Sequence, residues 1–129
     1  MRQKGNTGNL MNVRSRREGN VAVIYAGDYL NKLSGERIER ECQNQLDAGC
    51  QSLILSFKET QLVNSIGVSI LLGVLDAAEK VGATLVFSDL NKANNELFDM
   101  LGLSLHVKIM DDEQAAISAL QPATIQNHA

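Results

Sequence analysis

The sequence predicts a single α/β domain with a mixed, mostly parallel sheet of four to five strands and about four helices largely on one face. Two observations predict this fold. Short apolar runs alternate with longer helical patterns along most of the chain, which is typical of parallel strands joined by crossover helices. The 129 residues, 44% of them hydrophobic, suffice for one two-layer core. We expect the domain to cover residues 10–120, between a disordered lead at 1–9 and a flexible tail at 121–129.

The first part of the chain predicts two strands and a helix. Residues 10–16 alternate weakly between apolar and polar side chains, as an edge strand does. Residues 21–26 are continuously apolar, which is typical of a strand covered on both faces. Ser34 is the expected N-cap of a helix that ends at Gly49. The apolar face of this helix recurs every fourth residue, at Ile38, Cys42 and Leu46.

The middle of the chain predicts a strand, a helix and another strand. Residues 52–55 form the first strand, a helix follows from about residue 65 to 81, and residues 83–87 form the third core strand. The helix carries more apolar surface than one contact with a sheet requires. Its buried arc consists of Gly67, Leu71, Val74, Leu75 and Ala78, its opposite stripe of Ser69, Gly73, Asp76 and Lys80, and its shoulders of Ile66, Leu72 and Ala77.

The last part predicts a helix over 93–101, a short strand over 105–110 and a final helix. Gly102 follows the first of these helices, where a left-handed residue commonly closes the last turn. Asp111 is the expected N-cap of the final helix, with Gln114 at capping-box spacing. The inner face of that helix consists of Ala115, Ala116, Ala119 and Leu120.

Composition and charge argue against several classes of function. The formal net charge of −3 is unlike that of a nucleic-acid-binding protein, which normally carries a basic face. Three arginines within residues 14–17 are interpreted as a solvated edge. No stretch approaches the roughly 18 apolar residues of a membrane span, and residues 1–9 lack the apolar core of a signal peptide. We expect a cytoplasmic protein that binds neither nucleic acid nor membrane.

The sequence lacks the motifs of common enzyme and cofactor sites. It contains neither GxxxxGK[ST] nor GxGxxG, the loops that bind nucleotide phosphates. His106 and His128 have no Ser or Cys partner by motif. Cys42 and Cys50 have neither CxxC spacing nor a paired histidine, so we interpret Cys42 as a core residue and Cys50 as a buried or edge thiol. No enzymatic activity, cofactor or metal is expected.

The most informative segment is LVNSIGVSILL at residues 62–72. It joins a β-like run to the long central helix, so Ser65 falls at the start of a helix, where backbone N–H groups lack partners. A serine at this position can cap the helix. It can also be a phosphorylation site whose added charge switches a docking surface. The residues alone leave both interpretations open.

A wider pattern surrounds this segment. LILS at 53–56 precedes LVNSIGV at 62–68, and Gly73 and GATLVF at 82–87 follow. The pattern resembles the STAS domain, and more narrowly the bacterial anti-sigma factor antagonists, which share a strand, a short loop, Asp-Ser-[Ser/Thr]-Gly, a helix, a glycine and a hydrophobic strand. The resemblance extends from about residue 21 to 120 and implies a single STAS-like domain.

The resemblance implies a regulator that is switched by phosphorylation. In such proteins the serine that matches Ser65 is phosphorylated by an anti-sigma factor that is also an ATP-dependent serine kinase. The unphosphorylated form binds that factor and frees the sigma factor, and a metal-dependent phosphatase restores this form. The implied docking surface includes the turn after the first long strand, the loop before the motif helix and the helix itself, that is Asp28, Tyr29, Val63, Asn64, Ser65, Ile66, Val68, Ser69 and Leu72.

Two residues depart from the family pattern. Asn64 stands where these proteins usually carry Asp, and Ile66 where they usually carry Ser, Thr or Ala. Asn caps a helix as well as Asp does, so we expect the fold to persist, whereas the missing carboxylate bears on recognition of Ser65 by a kinase. The alternative function is that of a non-phosphorylated STAS scaffold subunit in a larger signalling or lipid-transport assembly. A homodimer paired through an edge strand is also left open.

Overall fold

The computed structural model describes residues 13–120, which form seven strands, four α-helices and one 3₁₀ turn. The strands are β1 (Ser15–Glu18), β2 (Val21–Tyr25), β3 (Tyr29–Leu30), β4 (Ser52–Ser56), β5 (Leu62–Val63), β6 (Thr84–Ser88) and β7 (Lys108–Met110). The helices are α1 (Lys32–Asp47), α2 (Ser65–Lys80), α3 (Lys92–Met100) and α4 (Glu113–Leu120), and the 3₁₀ turn is Leu103–Leu105. The lead expected at 1–9 and the tail expected at 121–129 lie outside the described residues.

Five strands form the main sheet, in the order β1-β2-β4-β6-β7. Strands β2, β4, β6 and β7 run parallel, and β1 is antiparallel to β2. All five residues of β2 are buried, as its continuous apolar sequence predicts. The mixed, mostly parallel sheet is thus confirmed. The edge strand β1 exposes Arg16, Arg17 and Glu18, and such charged side chains discourage pairing with another edge.

The sheet separates two apolar layers of unequal size. On one face, α1, α2 and α3 cover the larger core, in which Phe57, Phe87 and Phe98 pack edge-to-face with ring centroids 5.2 to 5.6 Å apart. Cys42 and Cys50 are both buried in this layer, as predicted. On the other face, α4 packs against β2, β4 and β6. The predicted placement of the helices largely on one face is therefore confirmed.

Polar contacts also hold α4 at the carboxyl end of β2. The Tyr25 hydroxyl donates to Oε1 of Glu113 at 2.9 Å, and Nε of Arg16 donates to Oε2 of Glu113 at 3.0 Å. Burial raises the pKa of the Glu113 carboxyl, but hydrogen bonds from Arg16 and Tyr25 and the charges of Arg16 and Lys58 outweigh this effect and leave the pKa below its ordinary value. Arg16, expected on a solvated edge, therefore also anchors α4.

The start of α1 differs from the prediction. Its N-cap is Asn31, not Ser34. Oδ1 of Asn31 accepts from the backbone N–H of Ser34 at 3.0 Å, and Oγ of Ser34 accepts from the backbone N–H of Asn31 at 2.9 Å. The helix starts earlier because asparagine caps as well as serine, and Ser34 instead completes a reciprocal capping box. At the other end, Gly49 adopts φ +96° just after the helix, as predicted for a helix stop.

Two predicted strands differ in their bounds from the observed ones. The strand expected at 105–110 is limited to Lys108–Met110, because Leu103–Leu105 coil into a 3₁₀ turn after Gly102. Gly102 itself has φ +82°, as its predicted role at the end of α3 requires. Of the edge strand expected at 10–16, residues 10–12 lie outside the described part of the chain; within that part, β1 begins at Ser15 and continues to Glu18.

The final helix also begins one residue later than predicted. Asp112, not Asp111, caps α4: its Oδ1 accepts from the backbone N–H of Ala115 at 2.7 Å. The inner face is also shifted, because Ile117 is buried beside Ala116 whereas Ala119 is exposed. The inner face is set by the packing of Ile117 against the sheet, which the spacing of the alanines does not reveal.

A second, two-stranded sheet is absent from the sequence-based prediction. Strand β3 pairs in parallel with β5, placing Tyr29 opposite Leu62 and Leu30 opposite Val63. Each strand has only two residues, too few for an alternating pattern to be recognised in the sequence. This pairing brings the turn after β2 beside the loop that leads into α2.

The start of α2 packs very closely against β3. A Cβ atom added to Gly67 would lie 2.7 Å from Cγ of Leu30 and 2.8 Å from the backbone oxygen of Leu30. Both distances are too short for a carbon atom, and the second neighbour is backbone that cannot rotate away. Only glycine at position 67 therefore allows α2 to approach β3 this closely.

We expect Gly67→Ala to destabilise the fold by about 1 to 3 kcal/mol, because the added methyl group overpacks against Leu30. Gly73→Ala on the same helix is the matched control. Its methyl group would meet only Oε2 of Glu39 at 3.5 Å, so the higher helix propensity of alanine should stabilise this variant by up to about 1 kcal/mol. Urea denaturation measures both free energies of unfolding. Equal stabilisation by the two substitutions would contradict the close packing at residue 67.

Candidate functional site

Backbone hydrogen bonds join two segments that are distant in sequence. The carbonyl oxygen of Asp28 accepts from the N–H groups of Gln61 and Leu62 at 2.8 and 3.2 Å, and the N–H of Asn64 donates to the carbonyl oxygen of Leu30 at 2.9 Å. These bonds extend the pairing of β3 with β5 at both ends. The two segments predicted to share a docking surface, around Asp28 and around Asn64, are therefore adjacent in the structure.

Ser65 is the first residue of α2 and is exposed. It does not cap the helix. The N-cap is Asn64, which has an extended backbone and accepts a hydrogen bond at Oδ1 from the N–H of Gly67 at 2.9 Å. The hydroxyl of Ser65 has no hydrogen-bond partner within residues 13–120. The interpretation of Ser65 as a helix cap is thus wrong, and its hydroxyl is available at the surface.

Several large apolar side chains near Ser65 in the sequence or in the small sheet are exposed. Ile66, the next residue, is 53% exposed, and Leu72 and Tyr29 are also exposed. Leu72 lies seven residues after Ser65, which is nearly two helical turns and so places both residues on one face of α2. Ser69 lies between them, is exposed, and donates from Oγ to the carbonyl oxygen of Ser65 at 3.2 Å.

Two residues predicted for this surface are placed differently. Val68 is only 4% exposed and belongs to the main core, so the prediction that it contributes to docking is wrong. It is buried because α2 packs against both the sheet and α1, which widens the buried arc beyond the predicted one. Val63 is half-buried and packs against the same core, so it supports the surface from below.

The structure adds two exposed leucines that the sequence analysis does not assign to the surface. Leu62 lies opposite Tyr29 in the small sheet and is 62% exposed, and Leu33 is exposed in the first turn of α1. The sequence does indicate that Leu33 is exposed, because residue 33 lies about 140° around the helix from Ile38 on the apolar face. We call the following set the docking surface: Asp28, Tyr29, Leu33, Leu62, Asn64, Ser65, Ile66, Ser69 and Leu72.

The helix starts at the docking surface lack acidic side chains, and Asp28 is the one charged member of the set. Nδ2 of Asn64 donates to the hydroxyl of Tyr29 at 3.4 Å. The first turn of α2 contains no acidic residue, and neither does the first turn of α1. A phosphate at Ser65 would therefore meet the positive end of the α2 dipole and backbone N–H groups that have no partner inside the helix. The local geometry favours an added negative charge.

Among residues 13–120, no cluster of three or more His, Cys, Asp or Glu side chains could hold a metal ion. Burial raises the pKa of the Cys42 thiol, and the charges of Glu41 and Glu39 add to this effect. His106 lies at the surface after the 3₁₀ turn.

Within the same described range, every helix is too short or too polar to cross a bilayer.

The sequence is similar to a family profile and to a curated relative. The profile of the STAS domain family matches residues 12–116. The Anti-sigma F factor antagonist of Paenibacillus polymyxa is 31% identical over 72 residues, which is 56% of this chain and 62% of that relative. The matched region thus spans less than two thirds of the relative's length.

The fold is similar to that of solved STAS structures. The unphosphorylated form of the anti-sigma factor antagonist SpoIIAA has a TM-score of 0.67 at 18% identity, over 84% of this chain and 96% of that one. The phosphorylated form of the Bacillus cell fate determinant SpoIIAA has a TM-score of 0.68 at 20% identity, over 84% and 99%. An anti-sigma-factor antagonist (STAS) domain protein from Planctomyces limnophilus has a TM-score of 0.74 at 12% identity, over 85% and 98%.

The family profile covers most of the chain, from the residue before the first described one to the middle of α4. The solved structures share the same fold across nearly their whole length. This protein therefore belongs to the STAS domain family.

Proposed function

We propose that this protein is an anti-sigma factor antagonist, a non-enzymatic regulator that binds an anti-sigma factor with serine-kinase activity in a partner-switching pathway. Phosphorylation at Ser65 ends the binding. One observation carries the proposal: the Ser65 hydroxyl is exposed and unbonded within residues 13–120, among exposed apolar side chains. The similarity to the Paenibacillus antagonist supports the role. The existence of SpoIIAA in unphosphorylated and phosphorylated forms supports the switch.

The attraction in this proposal comes from the apolar side chains of the docking surface. Ile66, Leu62 and Leu72 are each about half exposed, so a partner can still remove a large part of their surface from water. Full burial of such a side chain stabilises by about 1.5 to 3 kcal/mol, and half of that for each of three residues amounts to several kcal/mol. This attraction is independent of charge, so a repulsive group placed among these residues must offset it to end the binding.

The repulsion comes from the phosphate. Phosphoserine carries about −1.5 to −2 charges at neutral pH. One contact with a partner carboxylate at about 4 Å costs on the order of 4 kcal/mol per charge pair at an effective dielectric constant of about 20. Because about 1.4 kcal/mol corresponds to a tenfold change, one such contact weakens binding by roughly 1000-fold. Displacement of the partner therefore requires no conformational change.

The same phosphate should leave the fold intact. The cap of α2 is provided by Asn64 and not by Ser65, so modification of Ser65 removes no structural hydrogen bond within residues 13–120. The dipole of α2 favours a negative group at its first residue. The exposed ester would then be accessible to a metal-dependent phosphatase that resets the switch. We place this cycle in the cytoplasm, without a role for nucleic acid or membrane.

The first prediction for this function concerns modification. We expect incubation with the source organism's histidine-kinase-like anti-sigma ATPases and ATP to add a single phosphate, seen by intact mass, because Ser65 offers an unbonded hydroxyl. Ser65→Ala should abolish the addition. Ser118→Ala is the matched control, since Ser118 is an exposed helical serine on α4, outside the docking surface, and it should be phosphorylated like the wild type.

Binding measurements on the same protein distinguish the phosphorylation switch from the alternative function. Ser65→Asp should abolish binding to the kinase and leave the melting temperature within a few degrees. Unchanged binding by Ser65→Asp, or phosphate retained in Ser65→Ala, would contradict the switch. Binding of a partner without any phosphorylation would instead favour the non-phosphorylated scaffold subunit of a larger signalling or lipid-transport assembly, an alternative to which the amide of Asn64 in place of a carboxylate gives some support.

The second prediction separates docking residues from core residues on α2. Ile66→Ala should weaken kinase binding by about tenfold, because it removes exposed apolar contact area, while the free energy of unfolding stays within about 0.5 kcal/mol of the wild type. Val68→Ala should do the reverse and destabilise by about 2 kcal/mol, since it leaves a cavity in the core. Isothermal titration calorimetry and urea denaturation measure the two effects. Equal effects of both variants on binding would rule out the assignment.

A further inference from the structure

The side-chain amide of Asn64 has a fixed orientation. Its Oδ1 accepts from the N–H of Gly67 at 2.9 Å, and only an oxygen can accept there. Nδ2 therefore points the other way, where it lies 3.4 Å from the hydroxyl of Tyr29. Asn64 thus makes two different contacts: it caps α2 as an acceptor, and it faces Tyr29 as a donor.

Tyr29 is held by its backbone while its side chain remains exposed. The pairing of β3 with β5 fixes its position opposite Leu62, and its carbonyl oxygen accepts from Oγ of Ser34 at 2.7 Å. The ring is exposed at the edge of the docking surface. Because the hydroxyl oxygen accepts from Asn64, the hydroxyl hydrogen is free, and within residues 13–120 it has no acceptor.

From this geometry we infer that Asn64 is a positioning residue that sets the Tyr29 hydroxyl as a hydrogen-bond donor toward the partner. The inference rests on the proposed function and concerns the partner's chemistry: the kinase presents an oxygen acceptor, a carbonyl or a carboxylate, to Tyr29. The juxtaposition of the capping amide with the exposed phenol carries this assignment.

A carboxylate at position 64 would change the Tyr29 hydroxyl from a hydrogen-bond donor to an acceptor toward the partner. Asp caps a helix as well as Asn does, so Oδ1 of an aspartate would keep its bond with Gly67. Its second oxygen, however, can only accept. The hydroxyl of Tyr29 would then donate inward to that oxygen and offer only lone pairs to the partner. The fold would persist, and the only change at the surface would be that the Tyr29 hydroxyl accepts a hydrogen bond from the partner and no longer donates one.

A double-mutant cycle tests the inference. The binding of the purified histidine-kinase-like anti-sigma ATPases of the source organism is measured by calorimetry for wild type, Tyr29→Phe, Asn64→Asp and the double variant. We expect Tyr29→Phe to weaken binding about two- to tenfold, the range of one net hydrogen bond. Asn64→Asp should weaken binding at least as much. In the Asn64→Asp background, Tyr29→Phe should cause less than a twofold further loss, because the hydroxyl is already turned inward.

Asn64→Ser separates capping from positioning, since serine keeps an uncharged cap but is too short to direct Tyr29. It should weaken binding by about twofold or more, and Tyr29→Phe should still cause a further loss in this background, because the hydroxyl is not turned inward. Urea midpoints of all variants should agree closely, so that a purely structural role is excluded. The inference is overturned if Tyr29→Phe has the same effect in the wild type and in Asn64→Asp, if it has none in the wild type, or if Asn64→Asp binds more tightly.

The failure of this inference and that of the proposed function give different results. If the wild type binds none of these kinases, the proposed function fails and the inference fails with it. If the wild type binds and is switched through Ser65 but shows no coupling between residues 29 and 64, only the inference fails. Nuclear Overhauser contacts between the Asn64 side-chain amide and the Tyr29 ring, measured without any partner, check the starting geometry; their absence also overturns it.

Discussion

The parallel pairing of β3 with β5 is the interaction on which the candidate site depends. It joins only two residues of each segment, yet it places the turn after β2 and the first turn of α1 beside the start of α2. The pairing also requires glycine at position 67, because any larger residue there would collide with Leu30. Without this pairing, Tyr29 and Leu33 would be on a different part of the surface from Ser65, and no continuous docking surface would form.

At the start of α2, some residues stabilise the fold and their neighbours form the exposed surface. Asn64 caps the helix, Gly67 allows close packing and Val68 fills the core. Ser65 and Ile66, between them, make none of these contacts and face solvent. In the proposed function, a phosphate or a substitution at Ser65 therefore changes binding at little cost to folding. Such a separation lets a small domain act as a switch without a second conformation.

The sequence was sufficient to predict the main sheet, the helices and the position of Ser65, because these depend on long apolar patterns and on one motif. It was insufficient for features set by tertiary contacts. The two-residue strands β3 and β5 have no periodicity to recognise, so the sequence does not reveal that Leu62 lies at the surface. It wrongly predicts Val68 as a docking residue, because the packing of α2 on α1 is not visible in one helical wheel. It does not identify the caps Asn31 and Asp112, because several good capping residues stand close together at those helix starts.

Hydrogen exchange of the complex with the kinase would test the central claim most directly. If β3 and β5 build one docking surface around Ser65, backbone amides in residues 28–33 and in residues 61–69 should gain protection together when the unmodified protein binds. Phosphorylation of Ser65 should remove the protection in both segments at once. Protection confined to one segment, or centred on the exposed apolar residues Met100, Leu101 and Leu105 at the end of α3 and in the 3₁₀ turn, would contradict the account.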